Sequence, residues 1–72
     1  MTNTKLLREK IDGSGYKLSY IAAQIGITPQ GFYLKLNNTH QFKAAEIQVL
    51  CRLLHIDSEE MKAIFFATEV AD

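Results

Sequence analysis

The sequence predicts an all-α domain, a compact bundle of about five helices. Three observations predict it. Apolar residues recur at intervals of three and four, no alternating run of β-branched residues reads as a strand, and cap and stop residues divide the 72 residues into short helical segments. The length accommodates one domain, residues 1–72, of a size at which close helix packing or a partner must supplement a small core.

Taken in order, Asn3 or Thr4 caps a first helix of about ten residues with the apolar stripe Leu6, Leu7 and Ile11, and Gly13-Ser14-Gly15 stops it. Leu18, Ile21, Ala22 and Ile25 form the stripe of a second helix running from Lys17 to Ile25, and Gly26 occupies the position where a left-handed residue ends it. Thr28-Pro29 is the clearest start signal. The threonine hydroxyl caps while proline lacks only a donor that the first helical position does not use, so a third helix runs from Pro29 to about Leu36. After the polar loop Asn37-Asn38-Thr39-His40-Gln41, a fourth helix from Ala44 to Leu54 places Ile47, Leu50, Cys51 and Leu54 on one face. Asp57 and Glu60 form a capping box that opens a fifth helix, with Met61, Ile64 and Phe65 inward and an end near Thr68.

Between the second and third helices lie only Gly26, Ile27 and Thr28. So short a connection makes the helices meet at a steep angle, a helix-turn-helix over about residues 17–37. Ala22 permits close crossing, Gly26 turns the backbone, and Phe32 with Leu36 anchors the third helix as an i, i+4 pair.

The formal charge is zero, but it is unevenly distributed. Residues 1–45 carry six cations, Lys5, Arg8, Lys10, Lys17, Lys35 and Lys43, against Glu9 and Asp12, a net +4. Residues 46–72 carry Arg52 and Lys62 against six acids, a net −4. A basic face for phosphate backed by an acidic one produces this pattern. With the single cysteine Cys51, no internal disulfide is possible. No cleavable signal and no apolar run of membrane-spanning length is present, which places the expectation in a reducing cytoplasm, with no membrane partner.

No catalytic constellation is found: Ser14, Ser19 and Ser58 have no partnered base, Glu59-Glu60 fits a helix cap, and no phosphate-cradling glycine loop occurs. Cys51 and His55 share the i, i+4 spacing of two metal ligands, but two ligands do not make a site, and a core cysteine with a histidine near a helix C-terminus is the better reading. The chain therefore reads as a non-enzyme, with no metal, no cofactor and no small-molecule ligand expected.

The stretch from Tyr16 to Thr28 (YKLSYIAAQIGIT) resembles the Cro/CI, or XRE-like, family of phage-type repressors. Phe32 to Asn38 (FYLKLNN), Phe42 to Leu54, and Ile64-Phe65-Phe66 extend the resemblance over most of the chain. The resemblance implies a lambda-repressor-like bundle and a sequence-specific transcription regulator of phage or prophage origin, a homodimer on a double-stranded DNA operator. In that family the second helix of the motif enters the major groove. Carried over, the face opposite Phe32 and Leu36 presents Gln30, Tyr33, Leu34 and Asn37 to base edges, with Pro29 leading. Lys17, Thr28, Lys35, Asn38 and Lys43 flank that face as phosphate-binding candidates.

The chain departs from the family at four residues. Leu18 stands where a glutamine often touches phosphate, and Lys17 and Lys43 replace common cap residues at a cost of about 1 kcal/mol each. Gly31 lies inside the reading helix, where it costs about 1 kcal/mol relative to alanine unless the backbone must approach DNA or the second helix closely. Phe65, Phe66 and Val70 either close the core or form a dimer contact. The alternative function is a protein-interaction module on the same scaffold, an antitoxin or antirepressor component without DNA affinity, which the zero net charge favours.

Overall fold

Asn3, not Thr4, supplies the first cap: its Oδ1 accepts from the Leu6 N–H at 3.2 Å and starts α1, Thr4–Ser14. The computed structural model describes residues 2–66. Beyond α1 these contain α2 (Leu18–Ile25), α3 (Pro29–Leu36), α4 (Ala44–Leu53) and α5 (Ser58–Phe65), with no strand among the described residues. Gly13 and Ser14 do not stop α1 but belong to its last turn. Ser14 Oγ donates to the Ile11 carbonyl at 2.6 Å and accepts from the Tyr16 N–H at 3.0 Å, and Gly15 at φ 79° makes the turn.

α2 ends as its glycine predicts. Gly26 is left-handed at φ 82°, and the Gly26 and Ile27 N–H groups donate back to the Ala23 and Ala22 carbonyls, the paired bonds of a Schellman motif. Thr28 Oγ1 accepts from the Gly31 N–H at 3.0 Å, and Pro29 opens α3. At α5 the capping box forms in both directions, Glu60 N–H to Asp57 Oδ1 at 2.8 Å and Asp57 N–H to Glu60 Oε1 at 3.1 Å.

α4 ends differently. His55 stands at φ 55°, the left-handed position where glycine is usual, while the Ile56 N–H reaches back to the Cys51 carbonyl at 2.9 Å. An L-residue held there is strained by about 1 kcal/mol or more. His55→Gly is therefore expected to stabilise the domain by about 0.5–1 kcal/mol, after allowing for the extra freedom of glycine in the unfolded chain. A thermal melt reads this as a rise of about 3–6 °C. A fall instead would mean that the imidazole contributes more than its strain costs.

The core gathers one stripe from every helix. α1 brings Leu7 and Ile11, α2 Ile21 and Ala22, α3 Phe32 and Leu36, α4 Leu50, and α5 Ile64 and Phe65. Three buried residues lie outside the helices, Phe42, Leu54 and Ile56. Phe42 is the centre of an aromatic chain: its ring meets Phe32 edge-on at 6.1 Å and Phe65 edge-on at 5.7 Å. α2 packs on both α3 and α4, while α1 packs on α5 and the Asn3 N–H donates to the Ile64 carbonyl.

These contacts correct one expectation. Phe65 is a core residue at 6% exposure, held by Phe42, and is not available to a second copy; Phe66, 59% exposed, is the outward member of the pair. The described part of α5 ends at Phe65, and Thr68 and Val70 lie outside the described residues. Among the described residues no helix is long and apolar enough to cross a membrane.

Candidate nucleic-acid interface

α3 is a short helix with a locked back and an open front. Phe32 and Leu36, each 1% exposed, fix its inner line. Pro29, Gln30, Tyr33, Leu34 and Asn37 are all exposed, Tyr33 at 51% and Leu34 at 39%. Gly31 makes no close approach to α2. A Cβ there would stand 3.2 Å from Thr28 Oγ1, so the glycine leaves room for the hydroxyl that caps its own N–H.

The two helix starts offer backbone donors unequally. In the first turn of α3, proline has no N–H, the Gly31 N–H goes to Thr28 Oγ1, and the Phe32 N–H goes to the Thr28 carbonyl, which leaves that of Gln30. α2 begins at Lys17 with no side-chain cap, because an ammonium group cannot accept. The first-turn N–H groups of α2 thus have no side-chain cap, beside the exposed Lys17 cation, an arrangement suited to a phosphate oxygen.

Of the phosphate-binding candidates, Lys17, Thr28 and Lys43 are exposed as expected. Lys35 is not. Its Nζ lies 2.5 Å from Glu46 Oε1, with the two side chains only 12% and 9% exposed, and 5.9 Å from the centre of the Phe42 ring. The ammonium turns inward because a buried carboxylate needs a cation more than solvent does. Asn38 is also engaged elsewhere: at φ 61° it ends the α3 region in the left-handed conformation, and its Nδ2 donates to the Thr2 carbonyl at 3.1 Å, tying down the N-terminal arm.

Two residues at this surface escaped the sequence reading. Arg8, on α1, reaches Asn37 Oδ1 with Nη2 at 3.4 Å and so adds an exposed cation at the end of α3; no local signal announces a contact across 29 residues. Glu46 is 8% exposed and had a signal, since it lies three residues after Lys43, at the position of a capping-box glutamate. Its Oε1 accepts the Lys43 N–H at 2.9 Å, which restores half of the cap that Lys43 itself cannot make.

Burial pushes the Glu46 carboxyl up, but hydrogen bonds from the Lys35 ammonium and the Lys43 N–H, with the charges of both lysines, outweigh it and hold the group below the ordinary value of 4.5. A depressed folded pKa contributes stability above the unfolded value, lost as pH falls through the folded one. The melting temperature of the domain should accordingly fall more steeply below about pH 4.5 than that of Glu46→Gln. Parallel pH profiles would show that the carboxylate is not held this way.

Charge pairing reduces the basic face that composition suggests. Lys10 pairs with Glu60 at 2.5 Å, as Lys35 does with Glu46, so two cations of the first half are matched by acids of the second. Lys5, Arg8, Lys17 and Lys43 remain without an ion pair among the described residues.

None of the protein-family models, curated proteins or solved structures compared with the chain matches it.

Proposed function

We propose that the chain is a sequence-specific double-stranded DNA-binding regulator of transcription that lays α3 in the major groove. One observation carries this reading: Gln30, Tyr33, Leu34 and Asn37 stand exposed together on the face of a helix whose other side is fixed by Phe32 and Leu36. A glutamine amide pairs with both edges of adenine, a tyrosine hydroxyl donates or accepts, and a leucine packs on a thymine methyl. Arg8 on α1 meets the end of α3 at Asn37, and the exposed Lys17 and Lys43 start the helices before and after α3; these three supply phosphate contacts. The resemblance to Cro/CI-type phage regulators supports the same assignment, in the cytoplasm of a bacterial host.

Phe66 is the contact we assign to a second copy. It stands between two shallow clefts that both include Phe42 and Ile47, so its ring on one protomer can fill the cleft of the other. Phe66→Glu should then give a folded monomer in sedimentation whose melting temperature no longer depends on protein concentration; a dimer that persists places the contact elsewhere.

Withdrawal of Lys35 and Lys10 into ion pairs favours a second reading, a protein-interaction module on the same scaffold. Binding to duplex fragments at two salt concentrations separates the two. A DNA-reading chain prefers fragments selected from random sequence over scrambled ones and loses affinity with a log–log slope of about −3 to −4 per protomer, as about four phosphate contacts each require. Equal, weak binding to all duplexes at low salt would leave the interaction module.

A further inference from the structure

We infer that Glu46 is the positioning residue that sets the roll of α3, and with it the aim of the face assigned above to DNA bases; this rests on that assignment. A helix anchored only by Phe32 and Leu36 is held along a single line, because residues four apart lie on one strip of its surface. Off that line the end of α3 meets exposed contacts, Arg8 to Asn37 Oδ1 at 3.4 Å and Asn38 to the Thr2 carbonyl at 3.1 Å, which resist rotation weakly. Lys35 lies about 60° around the helix from Phe32 at 100° per residue, off the anchored strip, and gives the second fixed point. A roll of about 20° displaces groups 5–6 Å from the helix axis by about 2 Å, more than a hydrogen bond tolerates.

The fixed point is built at one atom. Glu46 Oε1 accepts Lys35 Nζ at 2.5 Å and the Lys43 N–H at 2.9 Å, so the last turn of α3 and the first turn of α4 share a single carboxylate oxygen. Stability alone does not account for it. A buried ion pair generally holds a fold no better than apolar side chains of similar volume, and the Phe42 ring beside Lys35 would pack against either. What apolar side chains lack is direction, and direction is what a reading helix needs.

The test compares the full chain with Lys35→Met/Glu46→Leu and with Glu46→Gln, whose amide oxygen keeps both acceptor contacts. The double variant should melt within a few degrees of the parent. Its affinity for selected duplex should nevertheless fall about tenfold or more, with binding to a scrambled duplex of equal length unchanged, and amide exchange at Lys35, Leu36 and Asn37 should quicken about tenfold. Glu46→Gln should stay within about threefold of the parent in both readouts. A double variant that keeps parental exchange and parental affinity overturns the inference. Should exchange quicken while the parent itself fails to distinguish selected from scrambled duplex, the positioning of α3 stands and the DNA assignment falls.

Discussion

Lys35→Ala is expected to destabilise the domain by about 3 kcal/mol, because it leaves the Glu46 carboxylate buried without its cation. The loss sits at the lower end of what breaking a buried pair costs, since both side chains retain a little solvent contact. For a chain of 72 residues, whose whole stability is about 4–11 kcal/mol, that is a large fraction, and the melting temperature should drop by about 10 °C or more. Lys43→Ala removes an exposed side chain whose backbone N–H still reaches Glu46, and should cost no more than about 0.5 kcal/mol. Urea denaturation of the two variants side by side measures the contrast. Equal, small losses would mean that Lys35 is a surface cation after all.

The second large effect is on binding. Gln30→Ala and Tyr33→Ala each remove an exposed side chain from α3 without touching Phe32 or Leu36, so stability should hold while affinity for selected duplex falls by about ten- to a hundredfold. Scrambled duplex should not notice, and the salt slope should stay the same. Lys17→Ala and Lys43→Ala should do the reverse, weakening binding to all duplexes and reducing the slope by about one each. Fluorescence anisotropy at several salt concentrations reads both classes. Base-face variants that alter the salt slope, or lysine variants that alter preference, would reverse the assigned roles.

The helices were readable because their signals are local. Thr28-Pro29, Gly26 and the Asp57 to Glu60 box act within one turn of chain, and each forms the cap or stop that its chemistry predicts. Phe32 and Leu36 likewise identify the inner line of α3 by spacing alone. What escaped was set by distance. Phe42 and Ile56 are core residues in irregular segments, where no period marks burial, and the direction of Lys35 depends on a carboxylate 11 residues away on another helix. The same lysine, read on the helix surface alone, belongs with the phosphate ligands. Arg8 illustrates the opposite error, a cation on α1 with nothing nearby to connect it with the end of α3.

Pairing within the chain also qualifies composition as a guide to partners. A half with six cations suggests a strongly basic surface, but Lys10 and Lys35 are matched by Glu60 and Glu46. On the proposed DNA-binding function, the surface left to phosphate is modest, and the weight of recognition would shift toward the side chains of α3 and toward a second copy on the same duplex.

Sequencing of duplex fragments selected from a random pool, by the parent chain and by Gln30→Ala/Tyr33→Ala in parallel, addresses the role of α3 most directly. The parent should enrich a pseudo-palindrome with half-sites about one helical turn apart, and the double variant should lose the motif while still retaining DNA at low salt. A pool with no motif for the parent, or the same motif for both chains, would contradict the reading of bases by α3.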